Sequence, residues 1–161
     1  MLINFCCDGW RQYQSNFRLF QTRKFDVTNL VPLFGAHTFG QSHCPTLFNR
    51  TVDTNSPIDP NFKKQLDVTC LNDQSLNTIN LDIRTPTKFD NMYYVNLLNH
   101  QGVFTADQDL TCHPKTNETV NLFASNQNDF FNKFANAFVK VIQLSVLASV
   151  VEEVVEIAEN I

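Results

Sequence analysis

A chain of 161 residues with only four glycines places two of them, Gly35 and Gly40, on either side of one histidine. The stretch is FDVTNLVPLFGAHTFGQSHC, Phe25 to Cys44, and it limits the possible folds more than any other. Asp26 is a candidate N-cap, and Val27, Leu30, Val31 and Phe34 follow at helical spacing as one apolar stripe. The pattern predicts a helix whose far end presents His37. Glycine on both sides lets the backbone approach a neighbour closely or turn with positive φ. Pro32 falls inside this helix, where it removes a backbone donor and crowds the preceding turn at a cost of ~3 kcal/mol. Read alone, His37 is either a helix-end histidine satisfied by its neighbours or a side chain held out for a ligand.

A second informative block is LDIRTPTKFDNMYYVNLLNHQGVFTADQDL, Leu81 to Leu110. It reads as loop, then helix, then turn: Thr85-Pro86-Thr87 breaks structure, Asn91 to His100 has helical spacing with Tyr94, Leu97 and Leu98, and Gly102 is a C-terminal cap signal. Asp82, Thr85 and Asp90 lie close together with backbone carbonyls between them. Carboxylates, hydroxyls and carbonyls are what a hard cation such as Ca²⁺ takes, and they equally cap turns. Further on, TADQD reads as a helix N-terminus with Thr105 or Asp107 as its cap.

Charge and composition exclude several classes. A net charge of −4 with scattered Lys and Arg gives no nucleic-acid footprint, and no apolar run reaches the ~18 residues of a membrane span. The opening MLINFCCDGWRQYQ lacks the basic and apolar regions of a signal peptide. Residues 1–25 say little: Phe17, Leu19 and Phe20 are candidates to pack on the following helix, and Arg11, Arg18, Arg23 and Lys24 read as a solvated face. Asn49 and Asn117 each open an N-glycosylation triplet. From about Val120 to Leu147 helical periodicity returns, with Phe123, Phe130, Phe131, Phe134, Phe138, Val141 and Ile142 as a broad core-forming face. The end, ASVVEEVVEIAENI, sets Val150, Val151, Val154 and Ile157 against Glu152, Glu153, Glu156 and Glu159, an acidic amphipathic helix.

GAHTFGQSHC resembles the proximal haem-ligand segment of the secreted plant-type (class III) haem peroxidases, and the Leu81–Leu110 block resembles the segment that follows in that family. The resemblance spans roughly residues 26–147 and implies an all-α, haem-dependent peroxidase fold limited to its proximal helical half. Residues 1–25 then form a divergent N-terminal segment and 148–161 a divergent acidic tail. By resemblance, His37 is the axial ligand of a haem b iron, Asp107 accepts its Nδ1–H, and Phe39 lines the proximal haem face. Thr38, Asp82, Thr85 and Asp90, with a carbonyl near Lys88, match one proximal Ca²⁺ site. Cys44 and Cys70 match a family disulfide, the alternative from the residues alone being two buried thiols. Closing that loop stabilises by roughly 3.5 kcal/mol on the loop-entropy relation. No family position accounts for Cys6 and Cys7, and the resemblance assigns no disulfide to Cys112. Family members usually carry smaller residues where Pro32 and Phe34 stand.

The activity implied is oxidation of small, often phenolic, donors by hydrogen peroxide, in a secreted monomer with no nucleic-acid or membrane partner. Full chemistry also needs a distal histidine and arginine to move a proton and stabilise charge. No histidine precedes His37, and His43, His100 and His113 fall downstream, so no catalytic residue is assigned within this chain. Two readings therefore stand: a haem peroxidase, or a catalytically impaired or non-catalytic haem- and Ca²⁺-binding remnant.

Overall fold

The computed structural model describes residues 25–70 and 76–159, with only the backbone described for 27, 28, 48, 49 and 145–159. The expectations for Phe17, Leu19, Phe20, Cys6 and Cys7, for the side chains of Val27 and Asn49, and for the two faces of the tail lie outside the described residues.

The organising helix, α1 (Val27–Phe34), forms as its cap and stripe predict. The Asp26 carboxylate accepts the Asn29 N–H at 3.1 Å, and Leu30 and Val31 are buried. Pro32 does sit inside it. The hydroxyl of Tyr94 donates to the Val31 carbonyl at 3.1 Å and lies 3.4 Å from that of Pro32, so this end of α1 is bound from across the core. The chain then tightens into a 3₁₀ turn, Gly35–Thr38, which carries His37. Gly40 follows with φ +110°, the left-handed region that glycine tolerates best.

A short antiparallel pair comes next, β1 (Gln41–His43) with β2 (Thr78–Asn80), Ser42 facing Ile79. Between the strands run a 3₁₀ turn at Cys44–Leu47, α2 (Phe48–Val52) and α3 (Pro60–Thr69), the last capped by Asp59 with Pro60 at its first position. Cys44 and Cys70 form a disulfide with Cα atoms 5.3 Å apart, joining the strand end to the end of α3. The remaining helices are α4 (Met92–Leu98), α5 (Thr105–Gln108), α6 (Pro114–Ser125) and α7 (Gln127–Glu159), with a 3₁₀ turn at Asp109–Thr111 after α5. The fold is all-α apart from the two-stranded pair. No described helix is long and apolar enough to cross a membrane.

Three local expectations change. The helical stretch from 120 to 147 is two helices, because Asn126 leaves helical geometry and caps α7: its side chain bonds Asp129 in both directions. On α7 burial falls off along the apolar face. Phe130 is buried, Phe131 and Phe134 are partly so, and Phe138, Val141 and Ile142 are exposed. Finally, the left-handed residue just beyond the end of α4 is His100, at φ +58°, not Gly102. Gly102 is needed two residues later, where a Cβ would meet Leu97 at 2.9 Å.

Two apolar clusters result. One joins α1, α4, α6 and α7 through Leu30, Val31, Tyr94, Leu97, Phe123 and Phe130, among others. The other, smaller, joins Leu47, Phe62, Leu66, Ile79 and Val103.

Candidate functional site

His37 stands where these elements meet. Its Nδ1 lies 2.9 Å from Oδ1 of Asp107, seventy residues further along the chain. A carboxylate only accepts, so Nδ1 carries a proton, and in the neutral imidazole Nε2 keeps its lone pair. Asp107 is 1% exposed, whereas the His37 side chain is 35% exposed, so the anchored edge of the ring faces inward and the Nε2 edge outward. The ring is held by aromatic neighbours: Phe34 and Tyr93 edge-on at 6.2 Å, and Phe104 at 5.4 Å. Burial lowers the His37 pKa, but the hydrogen bond and the charge of Asp107 more than offset this, and the net pKa lies above the ordinary 6.5.

Asp107 reaches His37 because α5 puts it one helical turn from its start, after Phe104. Neither Thr105 nor Asp107 caps that helix; Phe104 holds the cap position with no side-chain bond, and the Asp107 carboxylate turns to the histidine instead. Phe39, two residues past His37, is 59% exposed. His43 lies exposed on β1, His100 lies just beyond the end of α4, and the His113 ring accepts the Lys115 N–H at the start of α6. None of these three is among the ring contacts of His37 in the described residues.

Thr38, Asp82, Thr85 and Asp90 come together beside this turn. Thr38 Oγ1 donates to Asp82 Oδ2 at 3.0 Å, and Thr85 Oγ1 lies 3.3 Å from Asp82 Oδ2 and 2.9 Å from Asp90 Oδ1. A turn closed by the Lys88 N–H on the Thr85 carbonyl brings Asp90 back to Thr85. Phe89 stacks on Phe130 and Phe131, and Asn91 Nδ2 donates to the carbonyls of Phe123 and Ala124, so the loop is moored to α6 and α7. Asp82 is fully buried and forms no ion pair among the described residues. No group of three or more His, Cys, Asp or Glu side chains with metal-ligand geometry occurs among the described residues; the donors here are two carboxylates and two hydroxyls.

The profile of one family, described as Peroxidase, matches residues 8–126. The chain belongs to the peroxidase family. It is 42% identical over 136 residues to Peroxidase 12 of Arabidopsis thaliana, a match covering 84% of this chain and 38% of that protein. It is 40% identical over 139 residues to Peroxidase 2 of Hordeum vulgare, covering 84% and 82%. Cationic peroxidase SPC4 of Sorghum bicolor is 44% identical over 123 residues, covering 76% and 34%. The chain thus spans little more than a third of two of these peroxidases and most of the third. Membership implies haem as the family's cofactor, and plant peroxidases of this class are secreted.

Two residues that matter structurally escaped the sequence reading. Arg50, noted only as part of a glycosylation triplet, is 1% exposed and donates to the carbonyls of Gly102 (2.9 Å), Pro57 (2.8 Å) and Ser56 (3.5 Å). Burial lowers its pKa to about 10, against the opposing pull of Asp109, Asp53 and Asp107. Asn96 is 2% exposed and donates to Asp82. Its signal was available: a polar residue inside the buried run Tyr93, Tyr94, Leu97 of one helix.

Proposed function

We propose that this chain forms the proximal side of a haem peroxidase site, His37 binding the haem iron through Nε2. The His37–Asp107 pair carries this reading. The bond to Asp107 fixes the tautomer, aims the other ring nitrogen outward and raises its basicity, which is what an axial imidazole requires. Haem, when bound, supplies the redox chemistry by which hydrogen peroxide oxidises small phenolic donors. The chain's own residues orient: Asp107 holds the imidazole, Phe34, Tyr93 and Phe104 fix its plane, and Phe39 offers an exposed ring to the proximal haem face.

The cluster beside His37 fits a Ca²⁺ site. The Thr85 hydroxyl has one proton but touches carboxylate oxygens of both Asp82 and Asp90, so one of the two contacts has no hydrogen to share. A hard cation there resolves the conflict, taking oxygens from Thr38, Asp82, Thr85, Asp90 and a carbonyl near Lys88. Thr38 adjoins His37, so the ion would stiffen the backbone that carries the iron ligand. Secretion suits the disulfide, which persists in oxidising surroundings.

The test is reconstitution with haem and a visible spectrum. Wild type is expected to give a shifted Soret band, His37→Ala to lose it and His43→Ala to keep it. An unchanged band in His37→Ala, with loss in His43→Ala, would overturn the assignment.

A further inference from the structure

The two oxygens of the Asp82 carboxylate are held by different kinds of donor. Oδ1 accepts three N–H groups: the backbone amides of Arg84 at 2.8 Å and Thr85 at 3.2 Å, and Nδ2 of Asn96 at 2.8 Å. Among the described residues Oδ2 meets two hydroxyls, those of Thr38 and Thr85. An N–H has no lone pair to redirect, whereas a hydroxyl can turn its proton away and present oxygen to a cation. The carboxylate is therefore polarised by its surroundings into one anchored oxygen and one oxygen available to an ion.

Asn96 is the single side chain in the anchoring set, and it comes from α4, a different element from the loop that carries Asp82. Its own Oδ1 is buried and makes no hydrogen bond among the described residues. A buried amide with half its polar atoms unsatisfied is a poor choice for filling a helix interface, where leucine has nearly the same volume and no such defect. Its donor must be worth that cost to something other than packing.

We propose that Asn96 is the positioning residue of the Ca²⁺ site: by occupying Oδ1 it makes Asp82 a one-oxygen ligand and aims Oδ2 at the ion. This rests on the Ca²⁺ reading given above. Hydrogen-bonding partners of metal ligands typically contribute 10–100-fold to metal affinity, and Asn96 contributes on that scale without touching the ion. It also ties the grip on the ion to the position of α4, whose Tyr93 ring packs against His37.

The experiment is a calorimetric Ca²⁺ titration of the full chain, with thermal melting of the same proteins in a chelator. Asp82→Ala is expected to lose binding. Asn96→Leu is expected to bind Ca²⁺ about 10–100-fold more weakly and to show a smaller Ca²⁺-induced rise in melting temperature than wild type, whatever its melting temperature in chelator. A wild-type chain that takes up no Ca²⁺, or an Asp82→Ala chain that binds as wild type does, refutes the Ca²⁺ site itself. Loss in Asp82→Ala with undiminished affinity in Asn96→Leu refutes the positioning role alone. So does an Asn96→Leu chain that melts lower in chelator yet keeps the full Ca²⁺-induced rise, because that is the signature of packing. If the leucine variant does not fold, Asn96→Ala is read by the same criteria.

Discussion

The core joining α1, α4, α6 and α7 is closed by aromatic rings, whereas the core between α3 and the β pair is closed by a disulfide and a buried guanidinium. In the first, Tyr94 meets Phe123 and Phe130 edge to face at 5.1 Å, those two rings are tilted at 5.9 Å, and Tyr94 donates to the Val31 carbonyl near the end of α1. In the second, five buried apolar side chains are bracketed by Cys44–Cys70 on one side and by Arg50 gathering three carbonyls on the other. The difference follows from material. Helices long enough to repeat an apolar stripe supply ring area, while short turns and three-residue strands do not and are fastened instead by covalent and charge-assisted bonds. The His37 turn hangs from the aromatic core, and its partner Asp107 is two residues from Asp109, beside the Arg50 clamp. The site lies across the boundary between the two.

The largest expected effect breaks the aromatic side. Phe130 touches Tyr94, Phe123, Phe89, Phe131 and Phe134 and is fully buried. Phe130→Ala is expected to cost about 3–5 kcal/mol, read as a lower urea midpoint. Because Phe130 also backs the turn at Gly35, the variant should lose haem affinity as well as stability. A loss under 1 kcal/mol would mean that the ring cluster does not hold this core.

The second break is on the clamped side and is smaller. Arg50→Met keeps the apolar stem but leaves three carbonyls without their donor, an expected cost of about 3 kcal/mol. Reducing the Cys44–Cys70 bridge is expected to cost a similar roughly 3.5 kcal/mol. These two act on one core, so their effects should not add, whereas Phe130→Ala and reduction should add within a few tenths of a kcal/mol. Urea unfolding of the four combinations, with and without reductant, measures the coupling. Additivity of Arg50→Met with reduction would dissolve the distinction between the cores.

The sequence carries these two cores unequally. Regular apolar spacing announced α1 and the Phe-rich helices, and Asp26 announced where α1 begins. The pair of glycines around His37 offered two physical reasons for glycine without saying which applied. Gly40 turns out to need positive φ, and Gly35 to need closeness, because a Cβ there would collide with the Phe130 ring and the Tyr94 hydroxyl. That contact joins residues 95 apart, beyond any local pattern. Periodicity also cannot say how deeply each turn of a helix is buried, and Phe138, Val141 and Ile142 read as core yet stand exposed. The His37–Asp107 pairing and the Cys44–Cys70 bridge were legible through family resemblance. Arg50 was not legible from its neighbours at all, since its acceptors are backbone carbonyls, and a carbonyl is the same in every residue.

The last expected effect is a pH slope that sharpens the comparison, because the clamped side holds a carboxyl group whose pKa is raised by burial. Burial pushes the Asp109 pKa up from 3.8 to about 6, the Asp53 charge adds to this, and Arg50 and a hydrogen bond from Ser56 oppose it. A carboxyl whose folded pKa exceeds its unfolded one holds more protons in the folded state between those values. Stability therefore falls as pH rises through that window, from about pH 4 to about pH 6, and the penalty is complete above it. This is the reverse of an ion-paired aspartate, whose contribution is lost on acidification. Asp109→Asn removes the titration while keeping the shape. The difference in unfolding free energy between wild type and this variant, measured by urea titration at several pH values, should change steadily across the window in favour of the asparagine and flatten on either side. Removing Arg50 takes away the larger of the two influences that hold the Asp109 pKa down, so in Arg50→Met the upper edge of the window should move to higher pH. A window that stays in place would mean that Arg50 does not act on Asp109, and that the clamp works through its three carbonyls alone.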